Sequence, residues 1–443
     1  MNRKAIFFSL FIVVILALSN LWGTFSNSSN DLPDPRQIDG SELANTPPVE
    51  DAIQFFQRRI KVNPQDAVSY TLLAGQYVRQ ARETGDVASF QKAEAALEES
   101  LHLFPSYGQA NASLASVYYA QHDFLSALEL AQQVYERDPR IADALVTIGD
   151  AQLALGNYEA AQAAYQELKE MDDTPPVLAR LAAFEELKGN TQEALTLMRR
   201  AAWGALQGGG TKESVAWYVL RVGDMYFNTG QYKESSRYYD AALRIFEGYH
   251  LALAGLGKSA AAQGNYEGAI TYYRQAVDRV PQPEYLAALG DLYTVTDQPE
   301  QAKIQYATVE YIGKLAEINQ QVYNRQLANF YSDHDIHLKE ALKLALVELK
   351  SRKDVYGYDT AAWAHYKNGN FKEAQVLMKQ AMALGTRDAR LYYHAGMIAH
   401  ALGNDQAARQ ALEEAKAISS HFSILDANEL RATLETLQSK AAK

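Results

Sequence analysis

A spacing of 34 residues runs through most of this chain, and no other feature limits its fold as sharply. Gly223 and Gly257 lie 34 apart, as do Gly230 and Gly264, Gly369 and Gly403, and Pro105 and Pro139. Ala93, Ala127, Ala161 and Ala194 step by 34, 34 and 33, and Ala341, Ala374 and Ala408 step by 33 and 34. A period of this length marks one supersecondary unit that cannot bury its apolar face alone, so neighbouring units must stack into a solenoid of helix pairs. One unit shows the physics. Leu253, Leu256, Gly257 and Ala260 share one face of a first helix, and Gly264-Asn265 makes a turn where positive φ is tolerated. Ala269, Tyr273 and Ala276 share one face of a second helix, and Pro281 stops it. Small residues such as Gly257 and Ala269 let two helices approach, while tyrosines fill the gaps between pairs. That gives most of the 28 tyrosines, against 15 Phe and 4 Trp, a packing role.

The same residues resemble the tetratricopeptide repeat family. A large residue, a small one and a tyrosine three positions later recur as Leu73-Ala74…Tyr77, Leu114-Ala115…Tyr118, Val222-Gly223…Tyr226, Leu289-Gly290…Tyr293 and Leu327-Ala328…Tyr331. Second helices carry an alanine and, four later, a large residue: Ala52/Phe56, Ala161/Tyr165, Ala302/Tyr306 and Ala374/Met378. Closing prolines stand at Pro64, Pro105, Pro139 and Pro281. The usual first-helix Trp is missing, and Ser235 replaces an expected alanine. The resemblance covers roughly residues 50–420 and implies an all-α fold, a right-handed α-solenoid of about ten tetratricopeptide helix pairs with a C-terminal capping helix.

Position along the chain divides it further. Residues 1–22 carry Arg3 and Lys4 before an apolar run from Ala5 to Leu18, as in a secretory signal peptide or an N-terminal membrane anchor. Cleavage after Ser19 and retention through residues 5–22 both fit. The acidic segment that follows the run places the bulk of the chain outside the cytoplasm by the positive-inside rule, exported or membrane-anchored. Residues 23–49, rich in Ser, Asn, Asp and Pro, read as a disordered linker. Repeat blocks are expected at 50–203 and 216–420, with a Gly-rich break at 204–215 that is either a kink or a plain surface loop. Leu425, Leu430, Leu434 and Leu437 line the face of a capping helix within 421–443.

Composition excludes several functions. The formal net charge of −11 argues against nucleic acid, whose binders carry a basic face. With no cysteine, a disulfide scaffold, a Cys-type zinc site, an iron–sulfur centre, a thiol enzyme and a Cys-linked lipid anchor are ruled out. No phosphate loop or nucleophile elbow is present. The densest polar cluster, Ser332 to His337, offers His334 and His337 as metal ligands or else is a solvated turn. No catalytic residue, cofactor, metal or small-molecule substrate is expected.

What remains is the concave surface, which the resemblance lines with first helices. The matching polar positions include Asp150, Asp224 and Asp291, a locally acidic wall. One candidate contact patch is Trp217, Leu220, Asp224, Phe227 and Asn228. A second is Tyr356, Asp359, Trp363, Tyr366, Arg390 and Tyr393, with Arg325 and Asn329 between them. Only Arg325 with Asn329 fits a carboxylate clamp, which is too little to form one. The expected function is a non-catalytic scaffold that binds a peptide or protein in the groove on the extracytoplasmic side of a membrane. The alternative is an assembly subunit of an envelope secretion or polysaccharide machine.

Overall fold

The structure is a computed structural model that describes residues 32–38, 40, 41, 43, 47–318 and 324–441. Among them a 3-10 turn, Pro35–Gln37, precedes 22 α-helices, and there is no strand. A single helix α1 (Val49–Val62) opens the stack. The first five pairs are α2 (Ala67–Thr84) with α3 (Ala88–Leu103), α4 (Gly108–Ala120) with α5 (Phe124–Arg137), α6 (Ala142–Ala154) with α7 (Tyr158–Met171), α8 (Pro175–Leu187) with α9 (Thr191–Gln207), and α10 (Lys212–Asn228) with α11 (Tyr232–Ile245). The next five are α12 (His250–Ala262) with α13 (Tyr266–Arg279), α14 (Pro283–Val295) with α15 (Pro299–Ile318), α16 (Asn324–Asp333) with α17 (Leu338–Ser351), α18 (Val355–Lys367) with α19 (Phe371–Ala381), and α20 (Ala389–Ala401) with α21 (Asp405–Ile418). Helix α22 (Asp426–Ala441) closes the stack. The ten expected pairs are all present.

Local chemistry ends and starts these helices in a repeated way. Alanines near the start of most second helices, among them Ala127, Ala161, Ala269 and Ala408, are fully buried against the paired first helix. Ser235, in place of the family alanine, is also fully buried, and its hydroxyl meets that of Ser259 at 2.6 Å and donates to the Tyr232 carbonyl. The departure is thus a hydrogen-bonded substitution, which avoids an orphaned buried hydroxyl.

Three boundaries differ from the sequence reading. The expected linker 23–49 is partly a packed segment. Leu32, Ile38 and Leu43 are buried in the core cluster that includes Met198, Tyr238 and Ile245. Arg199 donates to the Leu32 carbonyl at 3.0 Å, and Arg244 donates to the Pro35 carbonyl at 2.6 Å. Apolar residues spaced too irregularly for a helix still found a groove on the outer face of α9 and α11. The Gly-rich break at 204–215 shrinks to a turn, because α9 runs on to Gln207 and α10 starts at Lys212, capped by Thr211 accepting from Ser214 N–H. One apolar cluster joins Ala201 and Ala205 to Val215 and Val219, so the two blocks share a core. The capping helix begins at Asp426 instead of residue 421, and Leu425 precedes it; Leu430, Leu434 and Leu437 are buried as expected.

The solenoid also touches itself. The turn after a first helix meets a connection roughly 190 to 200 residues further on, close to six repeats of about 34 residues. Gly156 lies against the carbonyl of Lys353, whose N–H donates to Ala154 O at 2.9 Å. Thr386 donates to the Leu187 carbonyl beside Gly189, and Gly230 abuts the Ile418 carbonyl. Successive superhelical turns are therefore in contact at these connections, and first helices line the lumen within them. Among the described residues no helix is long and apolar enough to cross a membrane; the signal or anchor expected at 1–22 lies outside them.

Candidate partner-binding site

The inner face is organised by a glycine, a carboxylate and a tyrosine. A Cβ on Gly149, Gly223, Gly257 or Gly290 would come within 3 Å of the ring of Tyr165, Tyr239, Tyr273 or Tyr306. Only glycine lets those rings cross the helix pair. The next residue is an acid in three of the four pairs, and the tyrosine hydroxyl donates to it: Tyr165 to Asp150 at 2.9 Å, Tyr239 to Asp224 at 2.7 Å and Tyr306 to Asp291 at 2.9 Å. Each carboxylate also has a cationic partner. Arg180 grips Asp150 through two nitrogens at 2.8 Å, and Arg221 and Lys258 hold Asp224 at 2.8 and 3.3 Å. Burial pushes the Asp224 carboxyl up, but Lys258 and Arg221 outweigh it and leave the group below its ordinary range. Burial, reinforced by the adjacent acids, holds the Tyr165 and Tyr239 hydroxyls well above theirs.

Asp291 takes its counter-charge from His334, whose Nε2 lies 2.7 Å from Oδ1. The other ring nitrogen, Nδ1, is 2.7 Å from the Phe330 carbonyl. A carbonyl and a carboxylate only accept, so both ring nitrogens donate and the ring is an imidazolium. Burial works against that charge, yet the Asp291 hydrogen bond and charge prevail, and the His334 pKa is raised. The expected acidic wall is therefore a row of internally neutralised carboxylates. His337 turns away to Glu310 at 3.4 Å, and among the described residues no group of three or more His, Asp or Glu is arranged to hold a metal ion.

The expected aromatic patches are mostly core. Trp363 and Tyr393 are 1% and 0% exposed, and Asp359, Leu220 and Phe227 are 6%, 5% and 6% exposed. The Trp363 ring stacks between Tyr366 and His394, with centroids 4.7 and 4.0 Å away, and its Nε1 donates to Asp333 at 2.9 Å. Asp359 meets the buried His394 at 2.7 Å, and the Tyr393 hydroxyl donates to Glu429 at 2.8 Å. Arg390 is committed to Asp333, and Asn228 donates to Glu186. Trp217 is half-buried edge-on to Tyr218, and Tyr356 reaches Asp388 at 3.4 Å. These large side chains fill the gap between neighbouring pairs. A first helix buries them from both sides, so the second patch forms an interior network and offers no free anchors.

The open part of the inner face is a cavity of about 540 Å³ between α10, α12, α14 and α16. Five of the sequence candidates line it: Phe227, Asp291, Arg325, Asn329 and Arg390. Lys258, Glu284 and Gln326 add polar groups, and Ala287, Ala288 and Phe330 add apolar surface. Arg325 is held by Glu348 at 3.3 Å. Sequence reading missed Glu284, Gln326 and the wall of the cavity formed by residues 421–428, the last because it follows the final repeat. Asp150 and the Tyr356–Tyr366 region lie outside the cavity lining.

Tetratricopeptide repeat models match residues 78–140, 112–176, 146–209, 213–282 and 360–421, together more than half of the chain. The human tetratricopeptide repeat protein 6 is 25% identical over 44% of this chain and 36% of its own length. The TPR repeat-containing protein YpiA of Bacillus subtilis is 22% identical over 65% of each. The chain thus spans about a third of one relative and just under two thirds of the other. The crystal structure of yeast Tom70 aligns over 89% of this chain and 93% of its own, at 13% identity and a TM-score of 0.38. With the period, the helix pairs and the family models in agreement, the chain belongs to the tetratricopeptide repeat family.

Proposed function

We propose that this protein is a non-catalytic scaffold that holds an extended segment of a partner protein in its lumen, on the extracytoplasmic side of a membrane. Tetratricopeptide repeat proteins generally serve as protein-interaction scaffolds. The observation that carries the reading is the cavity of about 540 Å³ across four successive first helices, with amide, cationic and apolar lining in one groove. Asn329 and Gln326 suit the backbone of an extended segment, and Ala287, Ala288 and Phe330 suit its side chains. The tyrosine–carboxylate–cation row behind the lining stiffens the groove before a partner arrives, which reduces the ordering cost of binding. The charge asymmetry around residues 5–18 supports the side of the membrane.

Site-specific photo-crosslinking in cells tests the groove. A crosslinker at Asn329 should capture a protein, and one at the exposed outer residue Leu125 should not. Adducts from Leu125 alone would overturn the reading.

A further inference from the structure

We infer that residues 419–425 are a built-in occupant of the lumen, and that the partner segment shares their chemistry: an aromatic residue and an aliphatic one two positions later. The inference rests on the groove reading above and names its partner class and its control. Between α21 and α22 the chain leaves helical geometry for seven residues, Ser419 to Leu425, and passes along the cavity wall. Its polar anchorage is on α11, five pairs earlier. The Tyr232 hydroxyl accepts from His421 N–H at 2.9 Å and meets Ser419 Oγ at 3.0 Å. Two side chains then have separate seats. The Phe422 ring lies 5.4 Å from that of Tyr393. Ile424 packs on the cluster of Leu253, Ala254, Tyr285 and Leu289. Asp426, the first residue of α22, takes a hydrogen bond from Ser423 at 2.9 Å and closes the segment.

Phe422 and Ile424 are only half-buried, and the backbone of 420–425 is tied to the repeats by few hydrogen bonds among the described residues, so the seats can be vacated without unfolding α22. Helix α22 keeps its own apolar contact with Ala408, Leu412 and Ala415. A segment tethered at both ends acts at an effective concentration on the order of millimolar. A partner of like chemistry must outcompete it, and its apparent affinity falls by the fraction of time the seats are filled.

The test uses the full chain and a labelled peptide of residues 419–425, SSHFSIL. The Phe422→Ser/Ile424→Ser variant should bind the peptide about tenfold or more tightly than the unaltered chain does. A peptide with the same two serines should not bind. Equal binding to both chains, or none to a variant whose helical circular dichroism is intact, would overturn the inference. If the variant does not fold, hydrogen exchange on the unaltered chain decides: excess peptide should speed exchange at the His421 amide, and an unchanged rate sinks the idea. Capture from Asn329 without peptide binding would leave the groove reading standing and remove this one; failure of both would remove both.

Discussion

At the scale of residues, the inner face is a set of paired polar groups whose value depends on each partner. Tyr239→Phe removes the shorter of the two donors to Asp224 Oδ1 and leaves only Lys258 at 3.3 Å. It should cost about 1.5–3 kcal/mol, as for a hydrogen bond to a charged group, in urea unfolding. Tyr273→Phe is the internal comparison. Its ring sits over Gly257 in the same way, but Lys258 follows where the acid would be, so its cost should be well below that of Tyr239→Phe. Equal costs would show that ring packing, not the acceptor, sets the role of the row. His334 adds a pH dependence with a definite sign. Its folded-state pKa lies above the ordinary 6.5, through Asp291 with a contribution from Asp333. The stabilisation is therefore complete below about pH 6.5 and is lost as pH rises through the raised value. His334→Gln should lower Tm more at about pH 5.5 than at about pH 8.5, and a gap of the opposite sign would refute the imidazolium. The recurring Gly-Asp with a tyrosine 15 residues after the acid was present in the sequence as Asp150/Tyr165, Asp224/Tyr239 and Asp291/Tyr306. It is the signal that would have shown the acids to be paired.

At the scale of elements, the helix pairs were legible because each one repeats the same small, large and turn residues at the same phase. Boundaries were less legible where a helix outlasts its pattern. Helix α9 continues through Gly204 to Gln207 because Ala201, Ala202 and Ala205 are buried against the next pair, which outweighs the poor propensity of one glycine. The packed segment around Leu32 and Ile38 has no period at all, so its outer groove could not be read from spacing. The same limit applies to aromatics. A tryptophan on a first helix has one sequence pattern whether it faces a partner or the next pair, and the stack on both sides of Trp363 decides. Trp363→Ala should cost about 3–5 kcal/mol, the range for a large buried aromatic. An exposed anchor would change stability by no more than about 0.5 kcal/mol, so thermal unfolding separates the two.

At the scale of the molecule, contact between successive superhelical turns follows from accumulated rotation over nearly six repeats, which no single repeat encodes. Its signature is a difference between glycines that look alike in sequence. Gly189 and Gly264 both end first helices with φ of +78, so alanine at either pays for a left-handed backbone, about 1–2 kcal/mol. A Cβ at Gly264 meets nothing within 4 Å, whereas one at Gly189 would press into the Gly385 carbonyl oxygen on the next turn. Backbone on both sides leaves no side chain to swing aside, so Gly189→Ala should cost about 1–3 kcal/mol more than Gly264→Ala, as overpacking does elsewhere. The relief available is separation of the turns. Small-angle scattering should then show a longer maximum dimension for Gly189→Ala and an unchanged one for Gly264→Ala. If the two substitutions cost the same and neither alters the dimensions, the turns are not in contact in solution and the lumen is open. Because the floor of the lumen comes from α10 to α16 and part of its wall from residues 421–428 and Arg352, separating the turns would also widen the approach to Asn329. The cross-linking yield from that position should rise in Gly189→Ala, which ties access to the groove to the closure of the superhelix.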